Sequence, residues 1–190
     1  MKKLLKQNSK MKKDGIWSFG ITPIQTCPMA GECKKLCYAT KGLYKRFAKN
    51  IEPALARSFD ATEMDGFVPS ICAEIKKKRK QPKLIRIHTE GDFYNQKYLD
   101  KWTNIANLFP DMQFYAYTKS LHLDFSKLPS NFKIIQSEGG KLDAQIDYTK
   151  PHAKIFKDAE SLQEAGYVDA SQSDLIAADR DNIKIGLIKH

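Results

Sequence analysis

Apolar positions along the chain change their spacing repeatedly, from short continuous runs to stripes that recur every three or four residues. Short runs bounded by turn residues are typical of buried strands, and the longer stripes are typical of amphipathic helices. The runs predict strands over residues 16–21, 84–88, 113–118, 132–136, 153–156 and 183–188. The first of these strands leads directly into a loop that carries three cysteines.

Four helices are predicted between the strands. The first covers residues 53–63, with Pro53 in the first turn, where a proline is tolerated. The second begins near Pro69 and carries one apolar stripe, formed by Val68, Ile71, Cys72 and Ile75. Asp92 is the predicted N-terminal cap of the third, whose apolar face is formed by Tyr94, Tyr98, Trp102, Ile105 and Phe109. The fourth covers residues 158–165 and ends at Gly166.

The alternation of strands and helices predicts an α/β fold with a mainly parallel sheet and helical crossovers. About six such units fit into the chain, fewer than the eight of a closed barrel. A partial (β/α) barrel and a doubly wound sheet both satisfy the pattern. With no repeat or flexible linker, residues 16–190 are expected to form a single domain, after a flexible basic arm over residues 1–15.

The composition and the N-terminal sequence together indicate the cellular compartment. The chain has 190 residues, of which 42% are apolar and 28% charged, typical of a globular domain. It contains no apolar run of the roughly 20 residues that span a bilayer, so no membrane partner is expected. The N-terminus has basic residues but no apolar core of a signal peptide. We therefore expect a cytoplasmic protein, in a compartment where clustered cysteines bind metal or react rather than form disulfides.

The formal net charge of +10 is concentrated in two tracts. One comprises Lys2, Lys3, Lys6, Lys10, Lys12 and Lys13, and the other comprises Lys76, Lys77, Lys78, Arg79 and Lys80. Such tracts attract nucleic-acid phosphates without sequence preference, but they are equally typical of a solvated surface.

Cys27, Cys33 and Cys37 form a C-x5-C-x3-C motif in this loop. Cysteine thiolates hold iron–sulfur clusters with several spacings, and three of them leave one iron open. Zinc sites instead use close cysteine pairs and a fourth protein ligand. The candidates for a fourth ligand are Cys72, His88, His122, His152 and His190, although Cys72 also fits a helix core. An iron–sulfur cluster is the preferred interpretation, ahead of zinc or redox cysteines.

Polar residues follow the other predicted strands, at 88–92, 118–120 and 136–140. In a parallel sheet these loops share the rim on which the cysteine loop lies, where binding pockets form. His88 either lines this pocket or belongs to the core.

The cysteine loop, the segment Arg86–Phe93 and the segment Tyr117–Lys119 together resemble a bacteriophage protein family named after a mycobacteriophage gene product. This layout is similar in turn to radical S-adenosylmethionine (SAM) enzymes, although their cysteine spacing is shorter. The resemblance implies a 4Fe-4S cluster on the three cysteines, with Glu90, Gly91 and Asp92 at the open iron, and SAM as a further cofactor. For a phage protein, the compartment is the cytoplasm of the bacterial host.

Three functions remain open: a radical enzyme acting on a small molecule, a structural or redox-sensing cluster in a protein that binds a partner, and a zinc-stabilised nucleic-acid-binding protein without catalysis. The sequence does not identify the substrate.

Overall fold

Seven parallel strands form the frame of the protein. A computed structural model describes residues 3–79 and 81–189. The strands are β1 (Trp17–Ser18), β2 (Leu84–Ile87), β3 (Gln113–Thr118), β4 (Phe132–Ser137), β5 (His152–Phe156), β6 (Val168–Asp169) and β7 (Lys184–Ile188). Their order in the sheet is β1-β2-β3-β4-β5-β7-β6, and every neighbouring pair is parallel. The sheet curls into a half-barrel, which confirms the predicted α/β single domain.

Helices connect the strands and cover the sheet. They are α1 (Ser9–Lys13), α2 (Cys33–Leu36), α3 (Gly42–Arg46), α4 (Ala48–Glu63), α5 (Phe67–Lys76), α6 (Gln96–Leu108), α7 (Ala159–Glu164) and α8 (Asp174–Ala178). Short 3-10 turns occur at Tyr38–Thr40 and Asp143–Gln145. Within the described ranges, every helix is too short or too polar to span a lipid bilayer.

Alternate side chains of the strands enter two different cores. Ile85 and Ile87 of β2 pack with α5 and α6 on one face of the sheet, where Trp102 is fully buried. Leu84 of β2 and Tyr115 of β3 belong to the other core, which includes residues of α1 and α8. The helical stripe predicted around Trp102 is therefore confirmed for Tyr98, Trp102 and Ile105, whereas Tyr94 and Phe109 pack against the same core from just outside α6. Both faces of the sheet are covered.

Two predicted helix starts are wrong. Helix α4 begins at Ala48, so Pro53 lies inside it rather than in its first turn. The extra turn forms although a proline removes one main-chain hydrogen bond. Asp92 does not cap α6, because Asn95 is the residue next to the helix and its side chain accepts a hydrogen bond from the Tyr98 N–H at 2.8 Å.

The N-terminal segment, predicted to be a flexible arm, packs against the sheet over residues 3–15. Leu5 and Met11 are buried, and Lys6 forms an antiparallel bridge with Ser18 of β1. The side chain of Asn8 caps α1 by accepting from the Met11 N–H. These apolar residues are spaced among lysines, and their burial outweighs the charge that suggested a solvated arm. Lys2 and Lys80 of the two basic tracts lie outside the described residues.

Candidate functional site

A cavity of about 420 Å³ opens at the carboxyl ends of the strands. Its walls come from the cysteine loop and from the loops after β2, β3 and β4, as the strand order requires. The predicted residues that line it are Cys27, Cys33, Cys37, His88, Glu90, Gly91 and Asp92. The shared rim expected from the sequence is therefore present.

The three clustered cysteines are free thiols, and all three line this cavity. Cys33 begins α2, and Cys37 lies between α2 and the following 3-10 turn. Cys72 lies on α5, packs against the core and is not among the cavity residues. The interpretation of Cys72 as a core residue is the one that these contacts favour.

A long-range contact holds the cysteine loop in place. The N–H groups of Gly31 and Cys33 both donate to the carbonyl of Gly139, each at 3.2 Å, and Lys141 donates to the carbonyl of Met29 at 2.8 Å. A Cβ at Gly31 would lie 3.0 Å from the backbone of Gly140. The loop therefore leaves the edge strand β1 and joins the loop after β4. Glycine at position 31 allows this close approach.

The thiols influence one another and their surroundings. Burial raises the pKa of the Cys27 thiol to about 12, and the Asp92 carboxylate and the other two cysteines contribute to the rise. Burial also raises the pKa of Cys33, while the ammonium of Lys119 opposes that rise. Among residues 3–79 and 81–189, no three His, Cys, Asp or Glu side chains are arranged to hold a single metal ion.

Asp92 connects the ends of β2 and β3. Its carboxylate accepts hydrogen bonds from the Thr118 hydroxyl at 2.6 Å, the Phe93 N–H at 2.7 Å and the Lys119 N–H at 2.9 Å. Burial raises its pKa, and these three donors oppose the rise. The side chain of Lys119 then reaches the Ser137 hydroxyl at 2.7 Å. Asp92 therefore links the loop after β2 to the end of β3. It does not cap a helix, which the sequence had predicted.

Glu90 is a buried carboxylate surrounded by donors. The Lys6 ammonium lies 2.8 Å from Oε2, the Thr89 hydroxyl donates at 2.7 Å, and the Tyr44 hydroxyl donates to Oε1. The sequence interpretation missed Lys6 and Tyr44, because nothing local indicates contacts that span 84 and 46 residues.

Gly91 has no room for a side chain. Its φ is +83°, and a Cβ would lie 2.4 Å from Cγ1 of Ile21 and 2.6 Å from the hydroxyl of Thr26. Because Thr26 precedes Cys27, this glycine sets the distance between the loop after β2 and the cysteine loop.

His88 borders the cavity, but the contacts of its ring are those of a core residue. Nε2 lies 2.9 Å from the Tyr98 hydroxyl, and the ring packs edge-on against Phe93. Burial, with Arg86 nearby, lowers its pKa to about 3, so the imidazole is neutral. Its Nδ1 has no partner among the described residues. His122 and His152 are not among the cavity residues, and His190 lies outside the described part of the chain.

A buried ion pair lies beside the cavity, which Arg86 helps to line. A terminal nitrogen of Arg86 lies 2.6 Å from Oδ1 of Asp174, which also accepts from the Tyr115 hydroxyl at 2.8 Å. Although burial opposes it, Arg86 holds the pKa of Asp174 below its ordinary value. The sequence carries a signal for this pair, since an arginine between Ile85 and Ile87 of a buried strand requires an acidic partner.

Comparisons with known proteins agree on one family. A family model described as "Gene product 88" matches residues 2–189. The Gene 88 protein of Mycobacterium phage D29 is 31% identical over 140 residues, covering 61% of this chain and 58% of the relative. That of Mycobacterium phage L5 is 36% identical over 104 residues, covering 50% of this chain and 43% of the relative. The chain thus spans about half the length of these relatives. No solved structure matches.

Proposed function

The chain belongs to the gene product 88 family of bacteriophage proteins, and from that premise we propose that it is an iron–sulfur protein. Cys27, Cys33 and Cys37 would hold the cluster, a 4Fe-4S cluster in the simplest case. The observation that carries the proposal is that three free thiols line one cavity at the carboxyl ends of parallel strands.

The donor set fits such a cluster better than it fits zinc. A tetrahedral zinc ion with Zn–S bonds of 2.3 Å needs sulfurs about 3.8 Å apart. No three potential ligands among the described residues are arranged around a single ion. In a cluster each thiolate binds its own iron, so the sulfurs lie further apart. The lack of such an arrangement among the described residues counts against a single zinc ion and does not test a cluster.

The surrounding residues support an anionic group at this position. Three thiolates and a cluster carry negative charge, and the Lys119 ammonium already acts on the Cys33 thiol. Asp92 accepts from the Lys119 main-chain N–H, and the Lys119 ammonium in turn donates to the Ser137 hydroxyl, so both ends of this residue are held at the cavity. A bound cluster would supply one-electron chemistry, while the protein positions a substrate and excludes water.

SAM is the further cofactor that the resemblance to radical SAM enzymes implies. Glu90 would bind the SAM amino group in exchange for the Lys6 ammonium, which now lies 2.8 Å from this carboxylate. A SAM amino group is of the same chemical class. Gly91 and Asp92 lie next to Glu90 on the cavity wall, whereas we assign His88 the role of holding this wall through Tyr98.

The test is anaerobic reconstitution of the full chain with iron and sulfide. We expect about four irons per chain and the visible absorbance of a cluster. Replacing Cys27, Cys33 or Cys37 by serine should remove both, and the matched control Cys72→Ser should retain them. Iron content in the wild type no higher than in a triple Cys27/Cys33/Cys37→Ser variant would refute the proposal.

The SAM step has its own test. Reconstituted protein reduced with dithionite and mixed with SAM should release 5′-deoxyadenosine, and the Cys37→Ser variant should not. Loaded protein that releases none in repeated trials would reject the radical SAM assignment and leave a structural or redox cluster.

A further inference from the structure

Residues 32–49 form a strongly basic surface, here called the basic rim. It runs from α2 through α3 into the first turn of α4. It contains a single acidic residue, Glu32, and six basic residues. All six basic side chains are exposed: Lys34, Lys35, Lys41, Lys45, Arg46 and Lys49. This surface is separate from the two lysine tracts noted in the sequence.

Half of the rim's six cations are not used within the fold. Lys35 pairs with Glu32 at 2.9 Å, and Lys41 donates to a backbone carbonyl. Lys34, Lys45 and Lys49 make no ion pair or side-chain hydrogen bond with any described residue. Unpaired lysines in such a row are what a polyanion requires.

The two lysine tracts, like the rim, use some of their charge within the fold. The ammonium of Lys6 lies against Glu90, and that of Lys10 lies against Asp174 at 3.4 Å. Lys78 pairs with Glu74 and lies over the ring of Trp17. Part of the charge in both tracts therefore serves the fold.

Exposed apolar side chains stand among the cations of the rim. Tyr38 is 53% exposed, Leu43 67% and Phe47 48%. The Arg46 guanidinium lies 5.7 Å from the centre of the Phe47 ring. An aromatic face beside a cation is suited to an unpaired base, which stacks on the ring while its phosphate meets the charge. In a duplex, bases are already stacked, so single strands are favoured.

The rim adjoins the cavity. Tyr38 lines the cavity with Cys37, and the Tyr44 hydroxyl of α3 donates to Glu90 inside it. The tract at the end of α5 lies at the opposite end of the sheet, because α5 leads into the start of β2.

We propose that the basic rim binds single-stranded nucleic acid and presents a nucleotide to the cavity. The phosphates would meet Lys34, Lys45, Arg46 and Lys49, and a base would stack on Phe47. The cavity volume lies within the range of small-molecule sites, roughly 300–1,000 Å³. Binding at the rim stands without the cluster, whereas chemistry on the presented nucleotide rests on the proposed iron–sulfur function.

Fluorescence anisotropy with a labelled 20-nucleotide single strand tests the binding step, using the cluster-free full chain in reductant. Four phosphate contacts on a single strand give a salt slope of about −2.8, so affinity should fall roughly 50-fold between about 50 and 200 mM salt. Lys45→Gln/Lys49→Gln should reduce the slope to about −1.4, a fall of roughly 7-fold. Phe47→Ala should weaken binding by roughly 5-fold or more at fixed salt.

Lys76→Gln/Lys77→Gln is the matched control, since it removes two exposed charges from a helix end elsewhere. Its salt slope should equal that of the wild type. Equal losses in the two double variants would mean that only net charge matters, which overturns the rim as a site. No binding of the oligonucleotide at low salt overturns it as well. The anisotropy assay contains no cluster, so its failure is distinguishable from failure of the iron–sulfur proposal.

Discussion

Gly91→Ala should destabilise the protein because of a specific steric conflict. The added Cβ would lie 2.4 Å from Ile21 and 2.6 Å from Thr26, at a backbone φ of +83°. Gly166 offers a matched control, because its φ is +71° and a Cβ there would have no heavy atom within 4 Å. The two substitutions share the backbone strain and differ in the clash.

The magnitude follows from these two contributions. A left-handed conformation destabilises a residue with a side chain by about 1–2 kcal/mol, and this loss applies to both variants. Overpacking a filled region adds a loss of about 1–3 kcal/mol, which applies to Gly91→Ala alone. We therefore expect a loss of about 2–5 kcal/mol in the free energy of unfolding for Gly91→Ala and about 1–2 kcal/mol for Gly166→Ala.

Urea unfolding of the cluster-free protein under reducing conditions measures both losses. The clash also falls on Thr26, next to Cys27, so reconstituted Gly91→Ala should bind less iron than Gly166→Ala. Equal losses of stability in the two variants would refute the steric reasoning, and equal iron contents would refute its link to the cysteine loop.

Two further predictions concern stability. Cys72→Ala should cost about 1 kcal/mol in urea unfolding and leave iron binding intact, since Cys72 packs in the core; a loss of iron would contradict this. Asp174→Asn should cost about 3 kcal/mol near neutral pH, because it leaves Arg86 without its anion. Since the pKa of Asp174 is lowered by folding, its contribution is present above the unfolded pKa of about 3.9 and is lost as pH falls through the folded value. Unfolding curves of Asp174→Asn should therefore depend less on pH in that acidic range, and an unchanged pH dependence would contradict the assignment.

Hydrophobic patterning predicted most of the sheet, although only Trp17–Ser18 of the first predicted strand, residues 16–21, form β1. Strands β2, β3, β4, β5 and β7 lie within a residue or two of the predicted runs, because each run is apolar and bounded by polar or turn residues and so carries its own signal. β6 was missed because Val168–Asp169 is only two residues long. It is a strand because it pairs with β7, and the local sequence does not indicate that pairing. Helices α2 and α3 were missed as well, since both are short and largely exposed and carry no apolar stripe.

The site was predictable only where its residues follow strands. The cysteines and Glu90–Asp92 were placed on one rim by the parallel topology alone. The partners of those residues were not, because Lys6 and Tyr44 reach Glu90 over long stretches of chain. Arg86 was assigned to a strand without a role, although its charge within a buried run indicated the partner that Asp174 provides.

The closeness of the three cysteines in sequence does not by itself fix where their thiols lie. Their loop is held by hydrogen bonds to Gly139 and Lys141, more than a hundred residues further along the chain. The loop also rests on Gly91, where any side chain would displace Thr26. Closing such a long loop costs conformational entropy, and only the interactions of the folded sheet offset that cost. The cysteine arrangement is therefore a product of the half-barrel, and a peptide of residues 16–41 alone should not reproduce the metal affinity of the full chain.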